Sequence, residues 1–287
     1  MPSERRHDGP GISPVATLVY GTDSPNQVAD LYSPDGRGPW PLVVAIHGGA
    51  FMMGDRRREL PHLPALLEQG YAIASVEYRL SGEALFPAAV QDVKRATAYL
   101  RAHAADLNLD PSFFAAWGRS AGGHLSAMLG VTSGQVTEFD GTGDDSSVQA
   151  VVDWYGPSDF LQMDAQFAGK PPVGDVPPVM NHDEPGSPES KWIGGPIQDL
   201  PGDTARANPV TYVAGATVPL PPFFLAAGTS DHLVPHQQTL ILADALRAHG
   251  TPVELHILDG AGHADQRFES ELTQPAIDWL EQLRKAS

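Results

Sequence analysis

The stretch Phe113-Phe114-Ala115-Ala116-Trp117-Gly118-Arg119-Ser120-Ala121-Gly122-Gly123-His124 decides how this chain folds. Five apolar residues in succession, 113 to 117, read as a strand buried on both faces, as the inner strands of a parallel sheet are. The segment from Ala121 to Gly130 is rich in small and apolar residues and reads as a helix. Between the two, Gly118-Arg119-Ser120-Ala121-Gly122 leaves no length for a loop, so the chain has to turn from strand to helix almost at once. Only small neighbours permit so tight a turn, which lifts the serine hydroxyl clear of the carboxyl edge of the sheet. A serine there, at the positive end of a helix, is a candidate nucleophile.

Outward from this point, short apolar runs alternate with helix-period segments. The strands fall at 16–20, 27–32, 42–46, 71–76, 113–117, 150–154, 223–227 and 253–258. The first two read as an opening antiparallel pair. The rest, separated by helical crossovers, predict an α/β fold with an eight-stranded, mostly parallel sheet. Phe86, Val90, Val93, Thr97 and Leu100 recur at three- and four-residue steps, which predicts an amphipathic helix over 86–103. A second helix covers about 236–249 and stops at Gly250, and a third covers about 273–283. From Gly156 to Pro222 the rhythm fails: these residues hold 13 of the 27 prolines, by count of the sequence. Long irregular segments inside compact domains are mostly binding loops or lids. The expectation is a single domain over 1–287, with 156–222 as a Pro-rich cap insertion docked in part through Trp192, Ile193 and the stretch Pro209 to Val213.

Composition narrows the function. The 29 glycines and 27 prolines together make up roughly a fifth of the 287 residues, against an average nearer ~12%, which predicts long shaped loops. The net charge is −17 and the Arg56-Arg57-Arg58 run is the densest basic cluster. Neither a phosphate backbone nor an anionic membrane finds a footprint on such a chain, so nucleic-acid and membrane partners are excluded and a small molecule is expected. Oligomeric state is not legible. Cysteine is absent, which removes disulfides, thiolate zinc sites and cysteine nucleophiles. No apolar run of signal-peptide or membrane-span length is present, which points to the cytoplasm, although an exported chain trimmed of its leader would read the same.

A serine nucleophile needs a base, and among 11 histidines position chooses. His263 follows the last strand in Gly260-Ala261-Gly262-His263, where small neighbours leave the imidazole room to reach Ser120. His256 lies within a strand, His124 one turn into the helix after Ser120, and His103 and His249 at helix ends. His232 and His236 share the spacing of zinc ligands, but no third ligand is placed with them, so no metal is expected. The acid that orients the base is read as Asp231, after the strand 223–227. Asp259, four residues before His263, is the rival, and would pull the ring back toward its own strand. His47-Gly48-Gly49-Ala50-Phe51 follows the third strand, where two glycines let backbone amides face inward and cradle an oxyanion. His47 is read as a brace of that loop. Phe51, Met52, Met53, Trp154 and Tyr155 are expected to wall the substrate pocket, with residues of 156–222.

Together these motifs resemble the α/β-hydrolase superfamily, and within it the carboxylesterases related to hormone-sensitive lipase and the BD-FAE-like feruloyl and acetyl esterases. The chain order Ser120, Asp231, His263 is that superfamily's order. The likeness runs over nearly the whole chain and includes Tyr78-Arg79-Leu80, Phe86-Pro87-Ala88-Ala89 with Asp92, Trp154-Tyr155-Gly156-Pro157, Asn208-Pro209-Val210-Thr211, Asp231 to Pro235 and Gly260 to His263. It implies a triad of Ser120, His263 and Asp231, an oxyanion hole from the backbone N–H groups of Gly49, Ala50 and Ala121, a scaffold pair Arg79 and Asp92, no cofactor, and an acyl-enzyme route to ester hydrolysis. Two positions depart from the hormone-sensitive lipase pattern: Ala50 stands where a third glycine is usual, and Arg119 where an acidic residue precedes the serine. Substrate and subfamily therefore stay open. Kynurenine formamidases share the His-Gly-Gly loop on this fold, and some plant hormone receptors keep the fold without the histidine. The expectation is a carboxylesterase for short-acyl or aryl esters, with formamide hydrolysis as the alternative and a non-catalytic binding protein behind it.

Overall fold

In a computed structural model of the chain, residues 12–57, 62–135, 137–140, 145–168 and 181–286 are described. Arg58 and residues 169–180 of the Pro-rich stretch lie outside them. The strands are β1 (Ala16–Val19), β2 (Val28–Tyr32), β3 (Trp40–Ile46), β4 (Ala72–Val76), β5 (Leu109–Arg119), β6 (Ala150–Trp154), β7 (Phe223–Gly228) and β8 (Val253–Leu258). They form one sheet in the order β1-β2-β4-β3-β5-β6-β7-β8. β1 with β2 and β2 with β4 are antiparallel, and the other neighbours are parallel. After β3 the chain crosses one way to β4, then returns past β3 to β5. The loops that leave the carboxyl ends of β3 and β5 therefore part in opposite directions and open a crevice, the usual ligand position in such sheets.

The helices are α1 (Leu63–Glu68), α2 (Ala88–Ala102), α3 (Ala121–Val131), α4 (Met163–Phe167), α5 (Pro188–Ile193), α6 (Pro201–Ala207), α7 (Val210–Val213), α8 (Gln237–Ala248) and α9 (Thr273–Ala286). Period-two alternation sorts the sheet residues between two layers. Leu42, Val44, Ile46, Phe114 and Ala116 face α2, α3 and α8, whereas Val43, Ala45, Phe113, Ala115 and Trp117 face α1 and α9. Leu42, Val43 and Val44 are wholly buried, each burial worth about 1.5–3 kcal/mol.

Sequence and structure differ at a few edges. β5 starts at Leu109, ahead of the expected Phe113, because Asp110-Pro111-Ser112, half-buried and then exposed, reads as a turn. Leu109 nonetheless pairs with Trp40 across a register shift. α2 starts at Ala88, with Pro87 as its N-cap residue, and α9 runs on to Ala286. The six residues of α1, with a proline in the first turn, are too few to show a period. Arg79 and Asp92 do pair, with contacts of 2.8 and 2.7 Å.

The described part of 156–222 holds only short helices, α4 to α7, and a 3-10 turn at Phe160–Gln162. It is nevertheless anchored. Ser158 N and Asp159 N donate to Gln238 Oε1 on α8 at 2.7 and 2.6 Å, and Phe86 N donates to Trp192 O at 2.8 Å. Trp192, Phe160 and Met163 are wholly buried.

Candidate active site

Ser120 joins β5 to α3 with φ 54° and ψ −124°, a strained backbone for a residue with a Cβ, costing about 1–3 kcal/mol. Both of its backbone groups are pinned: its N–H donates to Trp154 O at 2.9 Å and its carbonyl accepts from His124 N at 3.0 Å. The flanking glycines are obligatory by contact. A Cβ at Gly118 would fall 2.1 Å from Gly122 O, one at Gly122 would fall 2.1 Å from Ile46 O, and one at Gly123 would fall 2.2 Å from Asp153 Oδ1. The Asp153 carboxyl accepts from Gly156 N at 3.0 Å, and burial raises its pKa to about 7.

The loop after β3 turns through Gly49 at φ 121°, Ala50 at 55° and Phe51 at 59°. At Gly49 the turn requires glycine, since a Cβ there would lie 1.9 Å from Met53 O. Gly49 O accepts from Met52 N and Met53 N, each at 3.0 Å. The N–H groups of Gly49, Ala50 and Ala121 donate to no acceptor among the described residues. Gly49 and Ala50 border the cleft in which Ser120 stands, and Ala121 directly follows that serine; unpartnered donors beside a candidate nucleophile are what an acyl-transfer oxyanion requires.

His263 lies on the loop after β8. Its Nε2 is 3.0 Å from Ser120 Oγ and its Nδ1 is 2.7 Å from Asp231 Oδ2. Asp231, wholly buried, accepts on Oδ1 from Leu233 N at 2.8 Å and Val234 N at 2.9 Å. Those bonds fix the carboxylate, which fixes the ring and leaves Nε2 as the acceptor that faces the hydroxyl. The rival Asp259 turns away and accepts from Thr229 Oγ1 at 3.0 Å. Among the described residues no group of three His, Asp or Glu is gathered in a way that suits a metal ion, and no helix is long and apolar enough to cross a membrane.

The cleft over Ser120 has a volume of about 270 Å³, and Met53, Arg119, Tyr155, Leu233 and Ala264 border it with His263 and the glycine loop. Two of the five expected wall residues, Met53 and Tyr155, are there. Phe51 is not: its positive φ turns the ring beneath the loop, where it stacks on Trp192 at 4.0 Å and 4° and is 2% exposed. Trp154 is not either, because strand alternation points it into the opposite layer, against Trp117 and Phe268. Met52 is half-buried and does not border the cleft. No described residue of 156–222 lines it. Sequence reasoning missed Arg119, Leu233 and Ala264 as wall residues. Each lies within two residues of a triad candidate, and that nearness was the available signal. Arg119 also reaches Glu269 at 2.8 Å, tying the serine turn to the π-helical turn Phe268–Leu272 that follows the histidine loop.

The profile of the BD-FAE family matches residues 29–246, three quarters of the chain. The chain belongs to the BD-FAE family. It is 33% identical over 212 residues to the protein named "Probable carboxylic ester hydrolase LipM" of Mycobacterium tuberculosis, covering 73% of this chain and 46% of that one. To "Esterase LipQ" of the same organism it is 29% identical, over 87% of this chain and 57% of the relative. The chain thus spans about half the length of these relatives. A solved structure titled as a truncated form of a carbohydrate esterase from gut microbiota superposes with a TM-score of 0.80 at 27% identity, covering 96% of this chain and 98% of that one.

Proposed function

We propose that this BD-FAE family member is a serine carboxylesterase that cleaves short-acyl or aryl esters through an acyl-enzyme. The observation that carries the reading is the relay from Asp231 through His263 to Ser120, opening on three unpaired amides. Ser120 Oγ bonds to the ester carbonyl carbon as its proton passes to His263 Nε2. The carbonyl oxygen takes up the electron pair and turns to the N–H groups of Gly49, Ala50 and Ala121, each such donor being worth about 2.7–4 kcal/mol in related chemistry. The bond to the alcohol oxygen then breaks, and that oxygen receives the proton from His263. Water repeats the sequence on the acyl-enzyme, releasing the acid and restoring the serine. Asp231 accepts from Nδ1–H throughout and stabilises the imidazolium.

The esterase names of the relatives support the reaction class. The modest cleft and its apolar rim, where Met53 is 61% and Leu233 47% exposed, support a small acyl group with an apolar or aryl portion at the mouth. Ser120→Ala leaves a folded protein with hydrolysis near background, and full turnover by that variant would sink the assignment. Asp231→Asn lowers kcat by up to ~10⁴-fold while Asp259→Asn changes it far less; the reverse ranking overturns the choice of acid. Substrate class is read by kcat/KM over p-nitrophenyl esters from acetate to palmitate, methyl ferulate, an acetylated sugar and N-formylkynurenine. A maximum at palmitate refutes the short-acyl claim, and a preference for N-formylkynurenine makes the chain an amide hydrolase.

A further inference from the structure

The loop that carries His263 is held differently at its two ends. Ahead of the histidine, Gly260 N donates to Thr229 Oγ1 at 2.8 Å and Ala261 O accepts from Ser230 N at 2.9 Å. That end is joined to the loop of Asp231. Behind the histidine, Arg267 Nη1 donates to Asp259 O at 3.0 Å and closes the loop on itself. The chain then makes the π-helical turn Phe268–Leu272 before α9 begins. Such turns are rare, and they recur where a chain has to place side chains at a site.

Two adjacent residues of this turn lead to the two ends of the Ser120–His263 contact. Phe268, 1% exposed, packs edge-on against Tyr155 at 4.6 Å and 63°, and Tyr155 meets the His263 ring at 4.8 Å and 63°. Tyr155 is itself pinned, at φ 47° with its N–H donating to Ala226 O at 2.7 Å. Glu269 goes the other way. Its Oε1 accepts from Arg119 Nη1 at 2.8 Å, and its Oε2 accepts at 3.2 Å from Thr273 Oγ1, on the first residue of α9, so the carboxylate is aimed from behind. Arg119 ends β5 and immediately precedes Ser120. With side chains 16% and 25% exposed, the pair is largely shielded from water, where charge-assisted bonds hold geometry best.

We propose that Arg119 and Glu269 are positioning residues, a clasp that sets the reach of His263 Nε2 to Ser120 Oγ, while Phe268 steadies the ring through Tyr155. Serine and histidine stand 143 residues apart in the chain and meet at 3.0 Å. The ion pair crosses between the same two segments a second time, one residue before the serine and six after the histidine. Without it the histidine loop keeps its bonds to the acid loop, so the ring stays on Asp231 and drifts from the hydroxyl. Proton transfer requires hydrogen-bond reach, and a misplacement of about 1 Å can cost ~10²-fold in rate. An acid at position 119, as in the hormone-sensitive lipase pattern, would repel Glu269, so the clasp goes with the basic residue found here. The effect on rate rests on the esterase reading, whereas the geometry does not.

The test is a double-mutant cycle of Arg119→Met, Glu269→Gln and the two together, with kcat and KM on p-nitrophenyl acetate and crystal structures of the wild-type chain and both single variants. Each single substitution is expected to lower kcat by ~10- to 100-fold with KM changed less than about threefold. The double variant should fall no further than the poorer single one, because both remove the same contact. In the crystals the Ser120–His263 separation should open beyond ~3.5 Å, out of hydrogen-bond range, while His263 Nδ1 stays near its 2.7 Å from Asp231. Losses that multiply in the double variant overturn the proposal, as does a lowered Tm with kcat unchanged or a Ser120–His263 contact that does not move. Should Arg119→Met fail to fold, Glu269→Gln, which keeps the side chain's size, decides by the same kcat and the same separation. If the wild-type chain cleaves no ester, the esterase reading fails and the crystallographic separation still reads the clasp.

Discussion

Two histidines flank the serine turn on opposite faces of the sheet, and they live in contrasting company. His124, on α3, is wholly buried, stacks on Phe160 at 5.1 Å, and meets Phe51 and Trp192 edge-on. Its Nδ1 is 2.8 Å from Pro157 O. His62, just before α1, is 3% exposed and stacks on Trp117 at 4.5 Å, with Trp154 at its edge, yet neither of its ring nitrogens has a hydrogen-bond partner among the described residues. The first cluster is assembled across the glycine loop after β3, the serine helix and the 156–222 segment, so it carries position as well as mass. The second fills space between strand ends and α9. The difference teaches that the candidate nucleophile rests on aromatic rings drawn from segments far apart in sequence, and not on Trp117, three residues before it.

The largest separation is expected from the two tryptophans. Trp192→Ala and Trp154→Ala each remove a wholly buried ring, at about 3–5 kcal/mol, and both should lower Tm by similar amounts. Only Trp192 supports Phe51 in the oxyanion loop, so kcat measured well below both Tm values should fall further in Trp192→Ala. Equal kcat losses would dissolve the contrast between the clusters. The histidines give the next effect. His124→Leu abandons the Pro157 carbonyl and should destabilise by about 1–3 kcal/mol, whereas His62→Leu removes an unpaired polar ring and should be neutral or stabilising in denaturant titrations. A large loss in His62→Leu would mean that its nitrogens are satisfied after all.

The smallest effect is a slope with pH. Burial lowers the pKa of His62 to about 3 and of His124 to about 4, below the ~6.5 of an unfolded histidine. Both rings are therefore neutral when folded, and the stability they allow is present above ~6.5 and lost as pH falls toward those values, because the unfolded chain binds the protons. Asp153 has the opposite sign. With a folded pKa raised to about 7 against ~3.9 unfolded, its contribution is present below ~3.9 and lost as pH rises through 7. Between about pH 4 and 7, His62→Leu and Asp153→Asn should tilt the stability profile in opposite senses, read from denaturation midpoints across that range. Parallel tilts would contradict the assignment of neutral rings and a protonated acid.

Much of this was legible before any coordinates. Strand identity followed from apolar runs between turn residues, because a doubly covered parallel sheet permits little else. Ser120, Asp231 and His263 were legible because each follows a strand at the carboxyl edge, where topology leaves few places to go. Less legible was the direction of side chains at loop residues. Phe51 looked like a wall residue until its φ of 59° turned it under the loop, and Trp154 until the alternation of β6 sent it to the other layer. Glu77 carried no signal either: it sits at the end of the apolar run through β4, and its contact with His47, 30 residues away, exists only in the fold.

The contact of Gly122 with the end of β3 has a further consequence. A Cβ there would lie 2.1 Å from Ile46 O and 2.6 Å from His47 O, so the helix that carries Ser120 and the strand that feeds the oxyanion loop touch main chain to main chain. On the proposed reading, the spacing between the Ser120 hydroxyl and the amides of the glycine loop is thereby set by main chain and not by side chains. Substitutions at Met53 and Leu233, at the cleft mouth, would then change which ester is accepted without moving that spacing.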